Sequence, residues 1–157
     1  MNDLTIRPVR LDDVERIVEI EESSFSPPWE EDIFYQIAKN RGRFRVDDDI
    51  IICMNVMFQN SLVIGYIVWE EDYDANSGHI LNIAINQPER CKGYGMKLLE
   101  TTLRSMMESR LETCELEVKE SNRWARHLYE KAGMMAVDKI VEYYDGEDAI
   151  IYEIIFE

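Results

Sequence analysis

Two hydrophobic rhythms share the chain, and the points where one gives way to the other mark out its elements. Residues 4–9, "LTIRPV", alternate apolar and polar side chains and predict a short strand. The spacing then turns helical. Val14, Ile17 and Val18 fall on one stripe, with Asp12 as the expected cap and Glu15 in the capping-box position, so a helix runs to about Ser23. After "FSPP" a second helix is expected from Trp29 to about Asn40, with Ile33, Phe34 and Ile37 inward and Gly42 just past its end.

The middle of the chain loses that spacing. "FRV" with "IIICMNVMF", then "SLVIGYIVWEE", then "GHILNIAIN" read as strands, and the polar "EDYDANSG" joins the last two as an antiparallel connection. From Gly95 the helical period returns, with Leu98, Leu99, Thr102, Leu103, Met106 and Met107 on one core-facing stripe to about Ser109. "TCELEVK" is a strand with Leu116 and Val118 on one face and Glu117 on the other. "NRWARHLYEKAG" is a helix closed by Gly133, and "MAVDKIVEYY" and "AIIYEIIFE" flank "DGED", whose Asp-Gly pair predicts a hairpin. Helices thus interrupt a mostly antiparallel sheet, and the central β-α-β-α-β passage requires a parallel pairing. The fold class is a mixed α/β domain with helices on both sheet faces. No repeat, low-complexity tract or linker divides residues 1–157, so one domain is expected.

Composition narrows the partners. With 46% apolar and 10% aromatic residues a substantial core is available. Seventeen basic against thirty-two acidic residues leave a formal charge of -15, which repels phosphate backbones and anionic membranes and favours cations. Neither a nucleic acid nor a membrane is expected as a partner; an amine fits. Cys53, Cys91 and Cys114 are odd in number and widely spaced, so neither a disulfide framework nor a metal site is indicated, and a reducing cytoplasm is the expected location. "MNDLTIRPVR" lacks the apolar core of a signal peptide, and "IIICMNVMF" is too short to span a bilayer.

Against this acidic background "ERCKGYGMKLL" stands out, because no acid interrupts the run from Arg90 to Lys97. A strand, a glycine turn and a helix in succession build an anion site, since the first amides of a helix lack partners. Gly93 and Gly95 allow close approach to the backbone, and Arg90, Lys92 and Lys97 add charge-assisted donors. The phosphate-loop motif has no match, and Leu98 occupies the third glycine position of the dinucleotide fingerprint.

Three longer segments resemble one family. "NQPERCKGYGMKLLE" is similar to the R/Q-x-x-G-x-G/A signature of the GNAT superfamily of N-acetyltransferases, with Arg90, Gly93 and Gly95 in the defining positions. "LEVKESNRWARHLYEKAGM" resembles the superfamily's next segment, and "YYDGEDAIIYEI" its C-terminal hairpin. With "GHILNIAI" and "FSPPWEEDIF" they point to the RimI-like ribosomal-protein alanine N-acetyltransferases and the related archaeal N-terminal acetyltransferases. The resemblance implies acetyl-CoA as coenzyme. Its pyrophosphate would lie on the amides of Cys91, Lys92, Gly93, Tyr94, Gly95 and Met96, with Arg90 and Lys97 nearby. The strand holding Ile83, Ala84 and Ile85 would carry the pantetheine arm and, splayed around a bulge, supply an oxyanion donor.

The same resemblance implies roles in the chemistry. Glu117 matches the branch's general base, and His79 lies where archaeal relatives carry a histidine that orders the deprotonating water. Asn122 and Tyr129, two helical turns apart, match a coenzyme contact and the general acid for the sulfur. His127 points elsewhere on that helix and receives no role. Phe25, Trp29, Tyr143 and Tyr144 match the walls of the peptide groove, although "FSPPWEED" lacks the Leu-Pro-Glu-Asn pattern of the archaeal first loop. The implied acceptor is a protein or peptide N-terminus, a ribosomal protein among the candidates, and the enzyme would be a monomer or weak homodimer. A polyamine or other small-amine acetyltransferase also suits the charge, and a non-catalytic CoA-binding module is the reading from another class.

Overall fold

A computed structural model describes residues 4–157. β1 (Leu4–Pro8) leads through a 3-10 turn into α1 (Val14–Ser24) and α2 (Glu31–Lys39). Four strands follow: β2 (Arg43–Arg45), β3 (Ile50–Gln59), β4 (Leu62–Asp72) and β5 (Ser77–Ile85). The chain closes with α3 (Tyr94–Glu108), β6 (Thr113–Lys119), α4 (Arg123–Lys131), β7 (Met135–Tyr144) and β8 (Glu147–Ile155). The strands form one sheet in the order β1-β3-β4-β5-β6-β8-β7, with β2 added beside β3. Every pairing is antiparallel except β5 with β6, the parallel contact that the β5-α3-β6 crossover demands. The Asp145-Gly146 hairpin forms as the sequence predicts, closing at Tyr144↔Glu147 with Gly146 at φ +77°.

Helices cover both faces of the sheet. Leu98, Leu99, Leu103 and Met106 of α3 and Ala125, Leu128 and Tyr129 of α4 pack with Ile80, Ile83, Leu116 and Tyr152 on one face. Ile17 and Ile20 of α1 and Phe34, Ile37 and Ala38 of α2 pack with Met54, Tyr66 and Val68 on the other. Two stripe members fall outside these cores. Ile33 is 41% exposed and Met107 47%, each rotated furthest from the centre of its helix's inward stripe.

The expected cap of α1 is also replaced. Asp12 makes no cap; the preceding turn, Leu11–Asp13, instead turns the Asp13 carboxylate inward. There it accepts the Arg10 main-chain N–H at 2.8 Å and both guanidinium nitrogens of Arg7 at 2.9 and 3.0 Å. A bidentate arginine partner outweighs a single cap bond. α2 begins at Glu31 rather than Trp29 because the chain at Glu30 is still extended, at φ -69°, ψ 140°.

The feature that builds the site lies in β5. Its register against β4 runs Val68↔Asn82 and then Trp69↔Ile80, so Leu81 is an extra residue. Against β6 it pairs only from Ser77↔Thr113 to His79↔Glu115. Beyond His79 the two strands part, while β6 continues along β8 to Lys119↔Ala149. The sheet thus holds an internal V whose closed end is at His79 and Glu115. Behind that end, fully buried Glu71 on β4 accepts from Trp69 Nε1 at 2.9 Å, Tyr73 Oη at 2.7 Å and Arg43 at 3.2 Å.

Candidate active site

The glycine turn follows β5 through a short 3-10 turn, Gln87–Glu89. Cys91 (φ +65°) and Gly93 (φ +83°, ψ 7°) both take left-handed conformations, and α3 starts at Tyr94, one residue earlier than its period suggests. The two glycines do different work. A Cβ on Gly93 would meet nothing within 4 Å, so this glycine serves the backbone angle and leaves the amides open. A Cβ on Gly95 would meet the Trp124 ring at 3.3 Å, so the bareness of Gly95 makes room for α4.

Arg90 braces the turn. Its Nε donates to Ile85 O at 2.8 Å and its Nη2 to Ser24 Oγ at 3.2 Å, tying the turn to β5 and to the end of α1. Lys92 and Lys97 are exposed, and Tyr94 is buried, its hydroxyl accepting from Gln59 Nε2 at 3.0 Å. A cavity of about 130 Å³ opens beside this turn, lined by Ile85, Arg90, Gly93 and Met96 and, from α4, by Trp124, His127 and Lys131. His127 therefore borders the anion site, contrary to its dismissal above.

At the closed end of the V, His79 Nε2 and Glu117 Oε2 lie 2.5 Å apart, both partly exposed. The hydrogen bond to Glu117 raises the His79 pKa above its ordinary value against the opposing effect of burial, with the Glu117, Glu115 and Glu70 charges adding to it. The same bond lowers the pKa of Glu117. The bond thus favours the ionised carboxylate and makes the imidazole more basic. His79, Glu115 and Glu117 are also the set that brings three ligand atoms within 4.8 Å of one another among the described residues. Two of those three donors are already spent on their mutual hydrogen bond, which suits a proton relay.

Tyr129 approaches from the α3/α4 face. It is buried in that core, and burial, then the nearby Tyr144 and Cys114, push its phenol pKa up, so it stays protonated. Tyr144 is pushed up to about 12 by burial and by the Glu117 charge, which places the β7–β8 hairpin beside the His79–Glu117 pair. Tyr143 stands edge-on to Tyr144 at 5.1 Å and faces solvent. Asn122 is the N-cap of α4, its Oδ1 accepting Ala125 N at 3.1 Å, which leaves its amide NH₂ as a donor for a ligand.

On the α1/α2 face, Phe25 and Trp29 are half-buried against the core. Trp29 and Leu81, the extra residue of β5, wall an apolar cavity of about 310 Å³ with Ile33, Ile37, Phe44 and Ile52. The parting of β5 from β6 thus lies between a glycine turn and Tyr129 on one face and an apolar groove on the other.

The sequence profile described as the acetyltransferase (GNAT) family matches residues 14–134. The chain belongs to this family.

The GNAT chain is 33% identical over 150 residues to a putative ribosomal protein bS18-alanine N-acetyltransferase of Bacillus subtilis, covering 93% of this chain and 91% of that protein. It is 29% identical over 161 residues to an N-alpha-acetyltransferase of Saccharolobus solfataricus, covering 95% and 91%. The crystal structure of the ribosomal-protein-S18-alanine N-acetyltransferase from Escherichia coli superposes with a TM-score of 0.77 at 25% identity, covering 97% and 93%. This GNAT protein is thus an acyltransferase by family, and its β5-α3-β6-α4 passage lies within the matched span.

Two residues lining the cavity beside the glycine turn escaped the sequence reading: Lys131 is one turn beyond His127 on α4, and Trp124 one turn before, a spacing that pattern analysis can find.

The two glycines make a test of their separate roles. Gly93→Ala forces a side chain into the left-handed region and is expected to cost about 1 kcal/mol in urea unfolding. Gly95→Ala should cost less, because its crowding neighbour is the edge of a half-exposed indole and alanine favours the helix.

Proposed function

We propose that the protein transfers acetyl from acetyl-CoA to the N-terminal α-amino group of a protein or peptide, ribosomal proteins included. The observation that carries this reading is the His79–Glu117 pair at the closed end of the V, with Tyr129 buried in the core on the opposite face of the sheet. The names of the relatives support an α-amine acceptor.

The chemistry follows from the charges. The pyrophosphate rests on the amides from Cys91 to Met96, with Lys92, Lys97 and Lys131 nearby, and the pantetheine arm runs along Ile83, Ala84 and Ile85. An α-ammonium group titrates near ~8, so a base of slightly raised pKa removes its proton without great cost. His79 takes that proton, directly or through water, while Glu117 holds the imidazole and balances the imidazolium. The amine nitrogen then attacks the thioester carbonyl. A main-chain amide of the splayed β5 receives the oxyanion, the C–S bond breaks, Tyr129 protonates the thiolate, and the second proton, shed by the nitrogen as the amide forms, returns through water to the Tyr129 phenolate. Phe25, Trp29, Tyr143 and Tyr144 wall the acceptor's path.

A small-amine acceptor is the second reading, favoured by the Glu70, Glu115 and Glu117 charges that surround His79. A screen of short peptides with varied first residues, run beside spermidine and free lysine, separates the two: turnover of spermidine alone would overturn the peptide reading.

The pair and the acid make separate predictions. The wild-type rate should fall as pH drops through the raised His79 pKa, since imidazolium accepts no proton. Glu117→Gln removes the partner that raises it, so the acid limb of kcat should move to lower pH and the maximum should fall about tenfold. An unmoved limb would argue against the pair. Tyr129→Phe should lower kcat about a hundredfold with the KM for acetyl-CoA little changed, and retained turnover would remove the acid role.

A further inference from the structure

Glu21 lies on α1 away from both the proton relay and the glycine turn, and it is 1% exposed. No arginine, lysine or histidine meets its carboxylate; neutral donors from three different segments do. Oε1 accepts the Tyr66 hydroxyl of β4 and Asn82 Nδ2 of β5 at 2.8 Å, and Oε2 accepts the Trp29 main-chain N–H at 2.8 Å. A buried carboxylate survives only where such donors converge on it. Burial and the Glu21 charge push the Tyr66 phenol pKa up, so Tyr66 remains a donor.

Each donor matters for where it sits. Asn82 adjoins Leu81, the extra residue that produces the bulge, and Trp29 faces Leu81 across the apolar cavity. The Trp29 ring stacks on Phe34 at 5.7 Å, and Phe34 meets Tyr66 edge-on at 5.8 Å, so ring and main chain of the Trp29 segment both lead back to one carboxylate. Stability alone would not select this arrangement, because apolar packing often replaces a buried charge without loss. What a carboxylate adds is direction: it sets three segments at fixed angles to one another.

We propose that Glu21 is a positioning residue that fixes the acceptor-side segment at Trp29 against the β5 bulge that shapes the acetyl site. The inference rests on the reading of Trp29 as an acceptor wall and of the bulge as the acyl site. Because the two bonds leave from different oxygens, they are separable. In Glu21→Gln the remaining oxygen still serves Tyr66 and Asn82, while the amide NH₂ confronts the Trp29 N–H and releases that segment alone. Asn82→Ala releases only the bulge.

Steady-state kinetics on whichever amine the wild type turns over, with calorimetric titration of CoA, tests this. Glu21→Gln is expected to raise the acceptor KM about tenfold while kcat and the CoA Kd stay within about threefold. Asn82→Ala is expected to lower kcat about tenfold with the acceptor KM within about threefold. A Glu21→Gln protein whose melting temperature falls with both constants unchanged, or parallel losses of kcat and KM in both variants, would overturn the proposal. If Glu21→Gln does not fold, Asn82→Ala decides: unchanged kcat overturns it and the kcat-selective loss supports it. A wild type that acetylates spermidine but no peptide would remove the peptide reading and leave this test standing on the amine.

Discussion

The parallel pairing of β5 with β6 ends after His79↔Glu115, and the remainder of the molecule is arranged around that break. A continuous sheet would separate its two faces with a wall of paired backbone. Here the bulge at Leu81 turns β5 aside, and the wall is interrupted between the two faces. His79 and Glu117 come from the α1/α2 side and Tyr129 from the α3/α4 side. The crossover through α3 is what makes the pairing parallel, and it also starts a helix immediately after the bare turn at Gly93. Glycine turn and strand separation therefore share one topological cause.

Three glutamates illustrate how surroundings divide one side chain among several tasks. Glu71 and Glu21 are both buried, and each is surrounded by donors from several segments. Glu117 is partly open and has one close partner, a histidine whose own proton can move. Burial with many fixed donors makes a carboxylate a brace; partial exposure with one titrating partner makes it part of a relay. The chain's overall charge of -15 does not distinguish among them.

Periodicity was a good guide to the elements and a poorer one to their ends. The two rhythms locate every helix and strand because each element buries one face, and burial is what the pattern records. The ends depend on side-chain partners outside the element itself: Arg7 pairs with Asp13 where Asp12 was the expected cap of α1, and Glu21 holds Trp29 N ahead of α2. In the site, local motifs were legible. The glycine turn and the Glu117-to-Tyr129 segment each lie within a short stretch, so their residue types and spacing are visible together. The separate use of Gly95 by Trp124 was not legible, since a missing side chain does not say which neighbour occupies its place. Glu21 and Asn82 are 61 residues apart, and nothing local signals that they meet.

The V leaves the protein with a strand edge in the middle of its sheet. Exposed edges ordinarily invite other strands, and proteins blunt them with charge or bulges. This one is flanked by α1 and α2 on one face and α3 and α4 on the other, so a folded neighbour's strand with its side chains has no room to enter. A narrow chain with amides along its length, such as the pantetheine arm in the proposed reading, would complete the ladder. The coenzyme would then serve as a removable ninth strand, and the interior edge would discriminate by thickness before any side chain reads the ligand.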